Sequence, residues 1–254
     1  MARQIIGDAS EWSGALKDLF RQIDDGSITL AQLQAFVQHC NPFGGDEAPE
    51  VVPTQPLTWS QATAKAYGLM GLGEEYAQFN ENFLVEGTGD DWELIILPGV
   101  THANLKSAIK KAGSDFWSAY DNPDKSITVN DRDADRDGQY AIAIRATVEA
   151  DEENANKSAD RLKAEHHKGM TTRERLFAEL VYFLMTDKHL DIRNYTLCSG
   201  SRDDDGSVPH FYFNSDYGEV CLGCWRVGHS RGSLRSRSVR VLPVKSRQSG
   251  TKRA

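Results

Sequence analysis

The 254-residue sequence predicts an α+β fold. Three observations point there. The first third holds apolar residues at helical spacing behind Ser and Thr caps. The middle carries strand signals and then a strongly capped helix. From Asn194 onward, short apolar pieces alternate with Gly-, Ser- and Asp-rich turns.

In chain order, Ser10 caps a helix that puts Trp12, Leu16, Leu19, Phe20 and Ile23 on one face, stopped by Asp24-Asp25-Gly26. Thr29 caps a second, with Leu30, Leu33, Phe36 and Val37 inward, ended by Asn41-Pro42. Residues 44–56, with Pro49, Pro53 and Pro56, form a linker. Thr58 caps a third helix, Trp59 to Met70. A strand at Trp92–Leu97 ends in Pro98-Gly99, and a helix follows over Ala103–Ala112. Ser126–Val129 and Tyr140–Val148 are strand signals, the second with Tyr140, Ile142 and Ile144 on one side. Thr171-x-x-Glu174 is a capping box, and Leu176, Phe177, Leu180, Phe183 and Leu184 make a wide apolar stripe behind it. Lys188 and His189 suit the C-terminal end of that helix dipole. Short strands are expected at Tyr195–Cys198, Val208–Phe213, Val220–Trp225 and Arg237–Leu242. This layout predicts a mainly helical region over 1–115, suited to packing, anchoring or homo-oligomerisation. A second domain spans 116–244, and a disordered basic tail 245–254.

Composition removes several classes. No stretch approaches the ~18–20 consecutive apolar residues of a membrane span. The start, MARQIIGDASEW, has no apolar signal core, so a cytoplasmic location is the default and surface display needs another route. Four cysteines, Cys40, Cys198, Cys221 and Cys224, do not make a disulfide framework. The net charge of −8 is uneven: from Arg226 onward there are nine Lys/Arg and no acid, leaving 20 bases against all 37 acids elsewhere. Such an acidic body disfavours nucleic acid, except through the Arg-rich C-terminus.

The metal patterns are weak. Asp133, Asp135 and Asp137 with Gly138 resemble the opening of a calcium loop, but the position that needs a bidentate acid is Ile144. Arg132 and Arg136 offer internal ion pairs to these acids instead. Cys221-Leu222-Gly223-Cys224, with Cys198 and His210 or His229, has the residue types of a zinc site. On an extended strand, however, residues three apart point to opposite faces. His166-His167 reads as a solvated surface pair. No Ser-His-Asp, HExxH, P-loop or GxGxxG pattern appears, so neither catalytic residues nor a cofactor are expected.

The informative window is 199–244. It is rich in Ser, Gly, Asp, Arg, Tyr, His, Asn and Cys, lacks Lys, Gln and Met, and holds one Glu (Glu219) and one Trp (Trp225). Tyr, Ser, Gly and Asn dominate antibody contact loops, because aromatics give contact area at small entropic cost and small polar residues adapt. The same alphabet arises when the adenines of AAC or AAT codons are randomised. That process never yields Lys, Glu, Gln, Met or Trp, and Glu219 and Trp225 fit as fixed positions.

The window and its flanks resemble the variable proteins of diversity-generating retroelements, whose C-terminal segment is mutagenised at adenines. The resemblance covers roughly 125–244. It rests on the capped helix Thr171–Met185, the strand Tyr195–Cys198, the turn Ser199-Gly200-Ser201 and the closing strand Leu234–Leu242. Arg202 stands where the family's turn has Trp, and Arg237-Ser238-Val239-Arg240 replaces its closing Gly-Phe-Arg. The resemblance implies a C-type lectin-like fold of the formylglycine-generating-enzyme type and a non-catalytic role. A diversified face would bind a protein or glycan ligand. It implies outward-pointing ligand contacts at Arg202, Asp203, Asp204, Ser207, His210, Tyr212, Asn214, Asp216, Tyr217, Arg226, His229 and Arg231. Cys221, Gly223 and Cys224 would be further variable positions, with Val220 and Leu222 toward the core. Two alternatives stand beside it: a cysteine-dependent oxidative enzyme of the same general fold using Cys221 or Cys224, and a nucleic-acid binder acting through the C-terminus.

Overall fold

The computed structural model describes residues 56–87 and 89–247, together with Arg21, Ile23 and Thr29. The chain divides into two compact units, Met1–Gln55 and Pro56–Ala254. In the first, Arg21 and Ile23 are helical. The remainder of the helices expected between residues 10 and 41, and the linker apart from Pro56, lie outside the described residues.

The second unit is α+β. It opens with helix α1, Trp59–Met70, where Thr58 and Gln61 form a reciprocal capping box and Gly71 closes the end in a left-handed conformation. Helix α2 (Gly73–Asn82) and strand β1 (Phe83–Val85) come next, then β2 (Trp92–Ile96) and α3 (His102–Ala112). After these stand β3 (Asp115–Ser118), the one-turn helices α4 (Pro123–Ser126) and α5 (Ala134–Asp137) with β4 (Val129–Asn130) between them, and β5 (Tyr140–Ile144). A 3₁₀ turn at Glu152–Asn154 and short helix α6 (Ala159–Ala164) lead to the long helix α7 (Thr172–Thr186). The strands β6 (Tyr195–Leu197), β7 (Ser201–Arg202), β8 (Val208–Asn214), β9 (Glu219–Trp225), β10 (Leu234–Arg235), β11 (Arg240–Leu242) and β12 (Val244–Ser246) complete it.

Two larger sheets share one core. One has the order β11-β5-β2, all antiparallel, and the other β10-β6-β8-β9-β3, with parallel pairing at both edges. Helix α7 packs against both, through β2 and β8, and against α1 and α3. It is buried almost all round, from Thr172 to Tyr182, which is why its apolar stripe is wide. Tyr182 meets Trp92 of β2 with ring centroids 5.3 Å apart, and Phe177 meets Tyr67 of α1 at 5.2 Å.

Four expectations need correction. The division after residue 115 falls inside this unit. Trp59 Nε1 donates to the Glu93 carbonyl at 2.7 Å, Tyr67 Oη donates to the Ile95 carbonyl at 2.6 Å, and β2 pairs with β5, so residues 56–112 share one core with the strands and helix beyond residue 115. The strand expected at Ser126–Val129 is mostly replaced by helix α4 and its exit, because Asn122 caps a turn that Pro123 starts. The closing strand expected over 234–242 is broken: β10 and β11 lie in different sheets, and Ser236 and Arg237 turn inward between them. Lys245–Arg247 were expected to begin a disordered tail. Val244–Ser246 instead pair with β1, Lys245 Nζ lies 2.5 Å from Glu86 Oε1, and Arg247 Nε donates to the Phe83 carbonyl. Residues 248–254 lie outside the described residues.

Candidate functional site

The register of the five-stranded sheet sorts the window into two faces. Phe211, Phe213, Val220, Leu222 and Phe116 point to the main core, so Val220 and Leu222 lie where alternation places them. The opposite face is built in rows. Leu234, Tyr195, Tyr212, Cys221 and Trp117 form one row across all five strands. Leu197, His210 and Gly223 form the next, and Val208 with Trp225 the third. Helix α6 covers one end of this face through Ala159 and Leu162, which pack with Leu197, Val208 and Leu234. Beyond that cover the aromatics are open: Trp117 is 47 % exposed, and Tyr195, Tyr212 and Trp225 are half-buried.

These aromatics hold one another. His210 stacks under Trp225 with centroids 4.0 Å apart and planes 17° from parallel. Tyr195 contacts Tyr212 at 4.7 Å and Trp225 at 5.1 Å. The Arg231 guanidinium lies over Tyr195 at 5.1 Å and Trp225 at 5.8 Å, and His229 leans on Trp225 at 4.6 Å. Gly223 makes the stack possible. A Cβ there would stand 2.7 Å from His210 Cε1. Burial pushes the His210 imidazole down to about 4, with the charges of His229 and Arg231 acting the same way. It is therefore neutral at pH 7, and its buried Nδ1 has no hydrogen-bond partner. Burial, with Cys221 second, pushes the Tyr212 phenol up to about 12. Tyr212 thus keeps its proton and is a hydrogen-bond donor at the surface.

The structure brings together His210, Tyr212, Asn214, Cys221 and Gly223 on this face, with His229 and Arg231 at its rim. Asp216 and the 77 % exposed Tyr217 sit at the exposed β8–β9 turn; Asp204 and Ser207 sit at the β7–β8 turn; Arg226 is exposed just past β9. Four of the expected outward contacts are buried. Asp203 is 6 % exposed because its carboxylate accepts from Tyr120 Oη at 2.9 Å and from the Ser207 amide at 2.7 Å. His210 and Gly223 are buried by their own stack, and Cys221 is 2 % exposed beside Tyr212. Cys224 has core-side parity yet is exposed, at the end of its strand. Arg202 lies apart, in the small β4–β7 ladder. Sequence reasoning missed Trp117 and assigned no ligand contact to Tyr195 or Trp225. The signal for Trp117 was the Asp-Phe-Trp-Ser alternation, which places Phe116 inward and Trp117 outward.

Behind the core side lies a charge network with no sequence motif. Asp191 is fully buried and accepts from Arg175 Nε at 2.9 Å, Arg237 Nη2 at 2.7 Å, the Ala150 amide at 3.1 Å and Thr196 Oγ1. Arg175 also pairs with Glu179 at 2.8 Å, and Glu179 with His189 at 2.9 Å. Arg237 donates further to the carbonyls of Thr147 and Val148. This is what pulls residues 236–237 out of the expected strand.

The acids Asp133, Asp135 and Asp137 are bound by arginines and amides. Asp133 caps α5, and Asp133 and Asp135 both meet Arg173, at 3.4 and 3.1 Å. Asp135 also accepts from the Gly99 amide, and Asp137 pairs with Arg136. Arg132 leaves the loop and chelates Glu174 instead. Cys221 and Cys224 lie on opposite faces of β9. Among the described residues no three His, Cys, Asp or Glu come together to hold a metal ion. His166 is exposed as expected, whereas His167 is half-buried against Ser236 Oγ at 3.0 Å. No helix among the described residues is long and apolar enough to cross a membrane. Comparison of the chain with protein-family models, with curated proteins and with solved structures finds no match.

Proposed function

We propose that the chain is a non-catalytic ligand-binding protein of the diversity-generating-retroelement kind, with a C-type lectin-like scaffold presenting a changeable face to a protein or glycan. The observation that supports this most is the row of part-open aromatics, Trp117, Tyr212 and Tyr195, joined at its rim by Trp225, Arg231 and His229. Rigid aromatics and arginine are the residue types that carry binding energy at recognition surfaces. The buried charge network of Asp191, Arg175, Arg237 and Glu179 is completed without Tyr212, His229 or Arg231. The pairing of β1 with β12 closes the unit and supports an autonomous frame. Burial raises the Cys221 thiol, the reverse of what a reactive thiolate needs, and this argues against cysteine chemistry at Cys221.

The test is to sequence this locus across isolates. Substitutions should concentrate at Asp204, Tyr212, Asn214, Asp216, Tyr217, Cys224, Arg226, His229 and Arg231, spare Phe211, Val220, Leu222 and Leu234, and derive from adenines of a nearby template copy. Substitutions spread evenly over core and surface, or no template copy, would overturn the proposal.

A further inference from the structure

A second concave site lies away from the aromatic face, at the small β4–β7 ladder. It is a cleft of about 400 Å³ lined by Val129, Asp131, Lys163, His166, Lys168 and Arg202 together with the Ser199–Ser201 turn. Its charge is unusual for this molecule. The chain is acidic overall, at −8, yet the cleft gathers Lys163, Lys168 and Arg202 against the single carboxylate of Asp131. None of Lys163, Lys168 and Arg202 forms an ion pair with a carboxylate among the described residues. Elsewhere the buried or half-buried arginines Arg132, Arg173, Arg175 and Arg237 each meet one, while the half-buried Arg235 donates to the Ala150 carbonyl instead.

Arg202 is the anchor. Its Nη1 donates to the carbonyls of Ser199 at 2.8 Å and Ser201 at 2.6 Å, which fixes the guanidinium plane and leaves its other donors unspent. Burial draws its pKa down, and Asp131 and Asp160 oppose that through space without bonding it. A half-desolvated guanidinium that neighbouring carboxylates leave unbonded is stabilised by an anion. Lys163, Lys168 and the exposed His166 line the same cleft, and the 55 % exposed Val129 adds apolar surface to it.

We propose that this cleft binds a small ligand carrying a tetrahedral oxyanion, a phosphate or sulfate ester, with Arg202 as the oriented donor and Lys163 and Lys168 as the attracting charges. Bidentate geometry suits Arg202, point charge suits the lysines, and a cleft of this size holds a sugar-sized remainder against Val129. The proposal stands on residues outside the aromatic face and does not depend on what that face binds.

The test is an NMR titration of the full chain with four probes: inorganic phosphate, inorganic sulfate, ribose 5-phosphate and glucose 6-sulfate. At least one should give saturable shifts at the His167, Lys168, Gly200 and Ser201 amides. A preference between the phosphate and sulfate members separates the two sources of the oxyanion. The exposed-site double variant Lys163→Gln/Lys168→Gln should weaken that probe by about 10-fold or more, as loss of charge-assisted bonds implies. Lys110→Gln, an exposed lysine of α3 that does not line the cleft, should leave it unchanged. The proposal is overturned if no probe saturates, if the lysine variant binds as tightly as the parent, or if the shifts fall on the aromatic face.

Discussion

Asp191→Asn should destabilise the protein more than any exchange on the exposed aromatic face. Asp191 adopts φ 55°, a left-handed conformation that Asn tolerates well, and the two side chains have one shape, so the substitution isolates charge. In the parent, Arg175 and Arg237 are balanced by Asp191 and Glu179, and all four are at most 1 % exposed. Removing the Asp191 charge leaves one buried guanidinium uncompensated and sets the amide nitrogen of Asn against arginine donors. Breaking a buried pair in this way costs about 3–5 kcal/mol. For a unit of this size that is a fall of roughly 6–20 °C in Tm, at about 2–4 °C per kcal/mol. Circular dichroism during thermal and urea unfolding measures it. The pH dependence has a fixed sign. Burial acts to raise the Asp191 pKa, but Arg237 and Arg175 outweigh it and hold the carboxyl below its ordinary range. Its contribution is therefore present above the unfolded carboxylate value and lost only as pH falls through the lower folded value. The deficit of the variant should persist at mildly acidic pH and close in strong acid. A fall in stability of less than about 1 kcal/mol, within the range of ordinary surface changes, would refute the reasoning.

The same geometry sets three further outcomes. His210 is depressed to about 4, so the unfolded chain takes up a proton between about pH 6.5 and 4 that the fold refuses, and stability falls by roughly 3 kcal/mol over that window; His210→Phe should remove this part of the acid sensitivity in pH-dependent urea melts, and an unchanged slope contradicts it. Gly223→Ala should push the imidazole off Trp225, at a cost of about 1–3 kcal/mol in unfolding free energy together with a change in Trp fluorescence; a neutral result contradicts the close approach. Iodoacetamide should label Cys224 in the folded protein and leave the buried Cys198 and Cys221 unmodified until unfolding, read by peptide mass spectrometry; labelling of Cys221 at the rate of Cys224 contradicts its burial beside Tyr212.

Local chemistry made much of the fold legible. Thr58 and Thr171 are caps because their side-chain oxygens satisfy free amides, and that signal needs only neighbouring residues. Alternation placed Val220 and Leu222 inward for the same reason. The expectations that failed depend on partners far along the chain. Asp203 reads as a polar loop residue, but its partner Tyr120 is 83 positions away. Arg237 reads as the polar side of an alternating strand, yet Asp191, Thr147 and Val148 capture it and break the strand. The division after residue 115 went astray because helices α1 and α3 carry a clear local period and no mark of the sheet they cover. Of the candidate site, the alphabet of the window was visible in sequence. The aromatic row was not, since Trp117 and Tyr195 join it only through strand register.

The central claim is that the exposed face tolerates exchange while the frame beneath it does not. Two displayed libraries test it most directly, one randomised at Asp204, Tyr212, Asn214, Asp216, Tyr217, Cys224, Arg226, His229 and Arg231, the other at Phe211, Val220, Leu222, Leu234 and Arg237, each scored for resistance to protease. Most members of the first should remain resistant and few of the second; equal loss of resistance in both would contradict the claim.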